Sequence, residues 1–353
     1  MTNKERIDLL SKEKKLSREE WINLIESYTR EDREYASKLA NAITVSHFGK
    51  KVYFRGIVEF TNICKNNCYY CGIRCENRNV SRYRLSKDEI LECCDEGYEI
   101  GYRTFVLQGG EDPYYTDERL CDIVASIKAK YPDCAVTLSV GERDEESYRR
   151  LYKAGADRFL LRHEAACEEY YNRLHPSQMS WKRRMQCLRD LKKIGFQTGC
   201  GFMVGTPWQQ AEHLAEDMLF ISELQPEMVG IGPFIPHSET PFGEFAAGDT
   251  DLTLFLLSLC RIMLPKVLLP ATTALGTVND DGRALGVLAG CNVIMPNLSP
   301  MSVREKYLLY NNKAGIGESA KSGLEKLKAQ MDKIGYAVEV GRGDHFDARK
   351  RGE

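Results

Sequence analysis

The chain of 353 residues lacks any long hydrophobic run. Its longest apolar stretches, such as Leu252–Leu259, fall far short of the ~20 residues a membrane-spanning helix needs. It lacks an excess of either charge: 49 Lys and Arg against 51 Asp and Glu leave a formal net charge of −2. Nothing in that balance calls for nucleic acid or membrane as a partner. Low-complexity segments, short internal repeats and a signal-peptide pattern are missing. No G-x-G-x-x-G turn follows the first strand-like run, which argues against an open dinucleotide-binding sheet, the main alternative architecture. The 13 cysteines are odd in number and most stand singly, so they do not read as a disulfide framework. Apolar residues at 43% and charged residues at 28% are the composition of a soluble globular enzyme. The thiol content fits a reducing cytoplasm.

Against that background one segment stands out: Cys64-Lys-Asn-Asn-Cys68-Tyr-Tyr-Cys71, spaced C-x3-C-x2-C directly after a strand-like run. Four cysteines saturate a 4Fe-4S cube, which then mainly moves electrons. Three leave one iron open to a small chelating molecule, and the amino and carboxylate groups of S-adenosylmethionine (SAM) suit it. The spacing, with Tyr70 before the last cysteine, is the radical SAM signature. Structural zinc is the competing reading, with Cys75 as a fourth ligand, but such sites usually bring a second C-x2-C-like pair or histidines. Cys93, Cys94, Cys121, Cys187, Cys260 and Cys291 read as small buried hydrophobes.

The order of elements predicts the fold. Residues 1–46 read as a helical extension, with Ser17 and Glu20 forming a capping box before Arg18–Ser27 and a second helix over Arg30–Val45. Eight strands are expected at Val52–Phe60, Thr104–Gln108, Ala135–Val140, Arg158–Leu161, Gln197–Met203, Met228–Ile231, Val267–Pro270 and Val293–Met295. Helices are expected at Lys87–Glu99, Asp117–Lys130, Glu145–Lys153, Glu168–Leu174, Trp181–Ile194, Gln210–Leu224, Asp251–Met263 and Gly282–Ala289. Such alternation gives an α/β fold with a parallel sheet, and eight units fit a complete (β/α)8 TIM barrel over 47–300. Residues 301–353 are expected to cover the barrel, and Arg349-Lys350-Arg351 to be a solvated tail. In a barrel, chemistry belongs at the C-terminal strand ends. The polar residues fall there.

Gly109-Gly110-Glu111 lets backbone approach a ligand closely, although an ordinary tight turn would look alike. Alternation across Arg162-His163-Glu164 turns Arg162 and Glu164 inward, where both need partners: an anionic substrate for the first, a ribose or amino group for the second. An internal ion pair is the plainer alternative. His163 reads as a packing histidine. One of Arg183 and Arg184, early in a helix, can fork onto the SAM carboxylate. Thr137, Thr272 and Thr273 offer hydroxyls, or simply suit strands.

Longer stretches carry a resemblance: Glu59–Cys64, Leu107–Tyr115, Val136–Glu142, Leu161–Glu164, Met228–His237, Pro270–Ala274 and Asn292–Asn297. From about residue 10 to 345 the chain resembles the HydE family, radical SAM maturases of FeFe-hydrogenase. Biotin synthase and methylornithine synthase are the neighbouring families in architecture. The resemblance implies one 4Fe-4S cluster on Cys64, Cys68 and Cys71, and reductive cleavage of SAM to a 5′-deoxyadenosyl radical. It implies SAM contacts from Tyr70, Gln108, Gly109, Gly110, Glu111, Ser139, Glu164, Met203 and Arg184, the last preferred over Arg183. It implies an anionic organometallic substrate, a cysteine-bound Fe(CO)2CN complex attacked at sulfur. Thr137, Arg162, Met228, Thr272, Thr273, Met295 and Tyr310 would receive it. Other maturases and a flavodoxin- or ferredoxin-type electron donor are the expected partners. Many members hold a second cluster on three cysteines of the C-terminal segment. Here the last cysteine is Cys291, so no second cluster is expected. Two other readings remain at this point: a radical SAM enzyme on an organic, amino-acid-like substrate, and an electron-transfer protein with a saturated cluster.

Overall fold

The computed structural model describes residues 1–348; the Arg349-Lys350-Arg351 tail lies outside them. Two N-terminal helices start where the sequence says they should, at Arg18 and Arg30, and a third, Asn3–Glu13, precedes them. Ser17 Oγ accepts the Glu20 N–H at 3.2 Å while Glu20 accepts the Ser17 N–H at 2.7 Å, opening Arg18–Ser27. The same reciprocal cap opens Asn3–Glu13 at Thr2 and Glu5, Arg30–Phe48 at Thr29 and Asp32, and Lys87–Glu99 at Ser86 and Glu89. No helix among the described residues is long and apolar enough to cross a membrane.

The strands are β1 (Lys51–Phe54), β2 (Gly56–Thr61), β3 (Thr104–Gly109), β4 (Ala135–Ser139), β5 (Arg158–Leu160), β6 (Gln197–Val204), β7 (Met228–Pro233), β8 (Val293–Ile294) and β9 (Ala337–Glu339). Strands β2 to β7 form one parallel sheet in chain order, with helices between successive strands. A second sheet has the order β8-β1-β9, also parallel. Residues of one strand face, such as Val58, Phe105, Leu107, Val136, Leu138, Phe159, Cys200 and Val229, join the helices in the main core. The alternate set forms rows on the inner face: Glu59, Gln108 and Ser139 in one, Thr137, Arg158 and Gln197 in another.

Regular pairing therefore differs from the expected eight strands. The run Val52–Phe60 is two strands, because β1 pairs with β8 and β9 while β2 pairs with β3. Val267–Pro270 is not a strand; it meets its neighbours in single bridges, Leu268 with Met228 and Pro270 with Val293. Pro270 has no N–H to give a ladder. A further bridge joins Ile57 to Asn297, and the Ile57 N–H donates to the Pro296 carbonyl at 2.8 Å.

The segment after β8 covers both edges of the sheet. At the C-terminal edge the Gly72 N–H donates to Leu309 O at 2.9 Å, and the Asn311 N–H to Pro236 O at 3.1 Å. Lys313 there forms a buried ion pair with Glu59. At the N-terminal edge Asp344 pairs with fully buried Arg158 at 2.6 Å, and Arg55 donates to Gly343 O at 3.2 Å.

Candidate active site

The cysteine loop leaves β2 at the C-terminal edge and is fixed by its backbone. The Lys65 N–H donates to Glu111 O at 2.9 Å, and the Tyr69 N–H to Leu174 O at 3.1 Å. Gly110 packs so closely that a Cβ there would lie 2.3 Å from Ile63 O and 2.8 Å from Cys64 Cβ. Only glycine fits, and the loop after β3 lies against the first cysteine. Cys64, Cys68 and Cys71 are each part-exposed, and Cys75 is exposed. Burial pushes all three thiols up, Cys71 to about 12, and each is raised further by a neighbour in the triad or by Glu111. Such thiols become thiolates only against a cationic centre. Among the described residues no three Cys, His, Asp or Glu converge on a single ion. A cube asks for something else, one thiolate at each of three corners. The triad is chemically suited to that.

Charges around the triad are close enough to act on it. Cys68 feels Arg184 and Glu164; Cys71 feels Glu164 and Arg162. Arg162 Nε binds Glu164 Oε1 at 3.0 Å, so the internal ion pair is real. Yet Glu164 Oε2 is buried without a partner, and a third of the Arg162 side chain is uncovered although burial weighs on its guanidinium. Both groups retain capacity for a ligand. The placement differs from simple strand alternation. Strand β5 ends at Leu160, and Glu164 bridges Phe202 with a left-handed φ of 63°.

Arg184 is buried and Arg183 is not. Arg184 Nε binds Glu142 Oε1 at 2.6 Å and Nη1 binds the Arg162 carbonyl at 2.8 Å, while Arg183 reaches the Arg143 carbonyl. Glu111 turns its carboxylate away, onto the Glu142 N–H at 3.0 Å and Lys65 at 3.2 Å. Gln108 and Ser139 share an inner row, and Gln108 reaches the Tyr307 hydroxyl at 3.4 Å. Tyr70 and Met203 lie in one apolar cluster with Tyr171 and Phe234. The Tyr70 hydroxyl donates to His175 Nε2 at 3.0 Å, because the other ring nitrogen faces the Tyr171 carbonyl at 2.9 Å and carries the proton. Burial lowers His175 to about 3, so the ring is neutral.

The expected substrate residues separate. Thr137 is buried on the inner face with its hydroxyl unpartnered. Tyr310, pushed up to about 12 by burial, feels both Glu59 and Arg162. Thr272 and Thr273 are not strand residues: Thr272 caps the helix Thr273–Val278 through the Leu275 N–H. Thr273 and Met295 line a cavity of about 40 Å³ with Glu59, Arg283 and Lys313. Met228 opens β7 in the floor cluster with Phe48 and Leu268, its sulfur 3.0 Å from Arg55 Nη1. It is no free wall. Sequence reasoning missed Glu142 as the Arg184 partner, His175 behind Tyr70, Lys313 on Glu59, and Met179, whose sulfur lies 3.6 Å from Cys68.

Comparison with known proteins identifies the family of the chain. The model of the Radical SAM superfamily matches residues 58–221. The [FeFe] hydrogenase maturase subunit HydE of Thermotoga maritima is 41% identical over 335 residues, 95% of each chain. Methylornithine synthase (PylB) superposes with a TM-score of 0.81 at 24% identity, over 95% of this chain and 97% of its own. HydG, a maturase of the [FeFe]-hydrogenase, reaches 0.81 at 18% identity, over 96% and 77%. The last two show the fold alone. The extent and level of the first likeness, on a chain with this cysteine loop, show that it belongs to the radical SAM superfamily of enzymes and, within it, to the HydE family.

Proposed function

We propose that this radical SAM enzyme serves in assembling the active-site cofactor of FeFe-hydrogenase, taking a cysteine-bound Fe(CO)2CN complex as substrate and directing attack to its sulfur. Radical SAM family members use a 4Fe-4S cluster and SAM. When bound, these supply a reductively generated carbon radical; the protein supplies placement and electrostatics. Cys64, Cys68 and Cys71 would hold three irons. Glu164 Oε2 would accept from the ribose or amino group of SAM. Arg184, anchored by Glu142, would present its remaining guanidinium N–H groups to the SAM carboxylate. The Gly109–Gly110 backbone would approach the methionine end, with Tyr70, Gln108, Ser139 and Met203 around it.

The observation that carries the reading is Arg162. It is a cation with open surface beside Glu164, Tyr70 and Cys71, and Tyr310 feels its charge. A cavity for an anionic, acceptor-rich complex needs such a cation and such donors. The bridges at Leu268, Pro270 and Asn297 support the further reading that the two sheets close into one (β/α)8 barrel over 47–300. Residues 1–46 then form a helical extension and 301–353 a cover. Other maturases, an external one-electron donor and a cytoplasmic setting complete the proposal. The test is Arg162→Leu in a reconstituted hydrogenase maturation assay. Maturation should collapse while iron content and SAM affinity stay near wild type. A variant that matures hydrogenase at the wild-type rate would remove Arg162 from the substrate site.

A further inference from the structure

We propose that His163 and Asp217 are a buried pair of positioning residues that set the Glu164 carboxylate, acting from the helix side of the sheet without touching the ligand. The proposal rests on the reading of Glu164 as a SAM contact and adds to it what holds that residue in place. Both partners are 0% exposed. The device begins where the chain leaves β5. A parallel strand would continue its ladder to β6. Here the ladder stops at Leu160 opposite Gly199, and Glu164 takes a left-handed conformation that costs a non-glycine residue energy.

Something must hold that turn against β6, and the hydrogen bonds identify it. The Glu164 N–H donates to Gly201 O at 3.1 Å. The Gly201 N–H donates not to a strand carbonyl but to His163 Nδ1, at 3.2 Å. The imidazole stands in for the lost ladder acceptor. Accepting at Nδ1 leaves the ring proton on Nε2, which lies 3.3 Å from Asp217 Oδ1, an ion-pair contact rather than an aligned hydrogen bond. The same Asp217 oxygen accepts the Ala166 N–H at 2.7 Å. His163 and Asp217 thus grip the turn on both sides of Glu164, at Gly201 and at Ala166. Phe202 and Phe220 pack on the ring at 5.7 and 4.9 Å between centroids. Gly201 completes the device: its φ is 150°, and a Cβ there would lie 2.0 Å from Gly230 O. A merely structural pair would stabilise the fold. A positioning pair must instead act on SAM through Glu164.

A double-mutant cycle separates the two. SAM dissociation constants are measured on cluster-reconstituted protein for wild type, His163→Asn, Glu164→Gln and the double variant, with iron content and melting temperature alongside. We expect about a tenfold rise in Kd for His163→Asn with iron unchanged, and less than a twofold further rise when it is added to Glu164→Gln. Asp217→Asn runs the same cycle if His163→Asn does not fold. Independent, multiplying losses would overturn the proposal, as would wild-type affinity in His163→Asn or, where that variant does not fold, in Asp217→Asn. In either case Glu164 remains a SAM contact. Wild-type affinity in Glu164→Gln would overturn the Glu164 reading and the positioning role with it.

Discussion

At the scale of single residues, the chemistry rests on a few groups with spare bonding capacity. Cys75 is exposed, and no three Cys, His, Asp or Glu among the described residues converge on one metal ion. Cys75→Ala should therefore keep about four irons per chain on reconstitution, while alanine at Cys64, Cys68 or Cys71 should lose the cluster. Equal loss from Cys75→Ala would mean a saturated cluster. Glu164→Gln removes the charge behind a buried, unpartnered oxygen. SAM affinity should fall by roughly ten- to a hundredfold, the worth of one charge-assisted hydrogen bond at about 1.5–3 kcal/mol. Titration calorimetry on protein of normal iron content checks it.

At the scale of elements, the start of Arg18–Ser27 was legible because its cap is local: Ser17 with Glu20 is a three-residue device. The run Val52–Phe60 showed a strand but not its division at Arg55, which depends on partners hundreds of residues away. The bridged stretch at 267–270 kept a strand's apolar pattern while Pro270 denied it a ladder. The cysteine loop was legible from its spacing together with the features downstream of it, such as Gly109-Gly110-Glu111. His175 and Lys313 were not, since nothing in their neighbourhoods marks them, and Glu142 was legible as a polar strand-end residue but not as the partner of Arg184, which only the fold brings to it. Two elements make predictions. Burial pushes Asp344 up, but Arg158 and Arg342 outweigh it and hold the carboxyl well below its usual range. The unfolded carboxyl therefore takes its proton first as pH falls. This contribution is whole above about pH 3.9 and is lost below it. Asp344→Asn should cost on the order of 3 kcal/mol at pH 7 by leaving Arg158 without its carboxylate. The gap between wild type and variant in urea unfolding should narrow at pH 3; a constant gap would contradict it. At the other edge, Lys313→Ala removes the cation from buried Glu59, whose other oxygen keeps the Asn297 amide, and frees the segment over Gly72 and Pro236. Limited proteolysis should then cut within 306–314 faster than in wild type, with no change at the N-terminal helices.

At the scale of the whole molecule, one stretch of chain serves as roof and floor. Residues 306–314 lie over the cysteine loop and 342–345 under the sheet. All six strands of the main sheet precede both, and β8 does too. That order has a consequence for synthesis. Between Asn297, the last bridging residue, and Asp344 lie 46 residues. At about 5–20 residues per second a ribosome needs roughly 2–9 s to make them. For that interval a nascent chain can have its three thiols and its parallel strands while both ends of the interior stand open. In that interval the cysteine loop lacks the cover that residues 306–314 later give it, and Lys313 has yet to find Glu59.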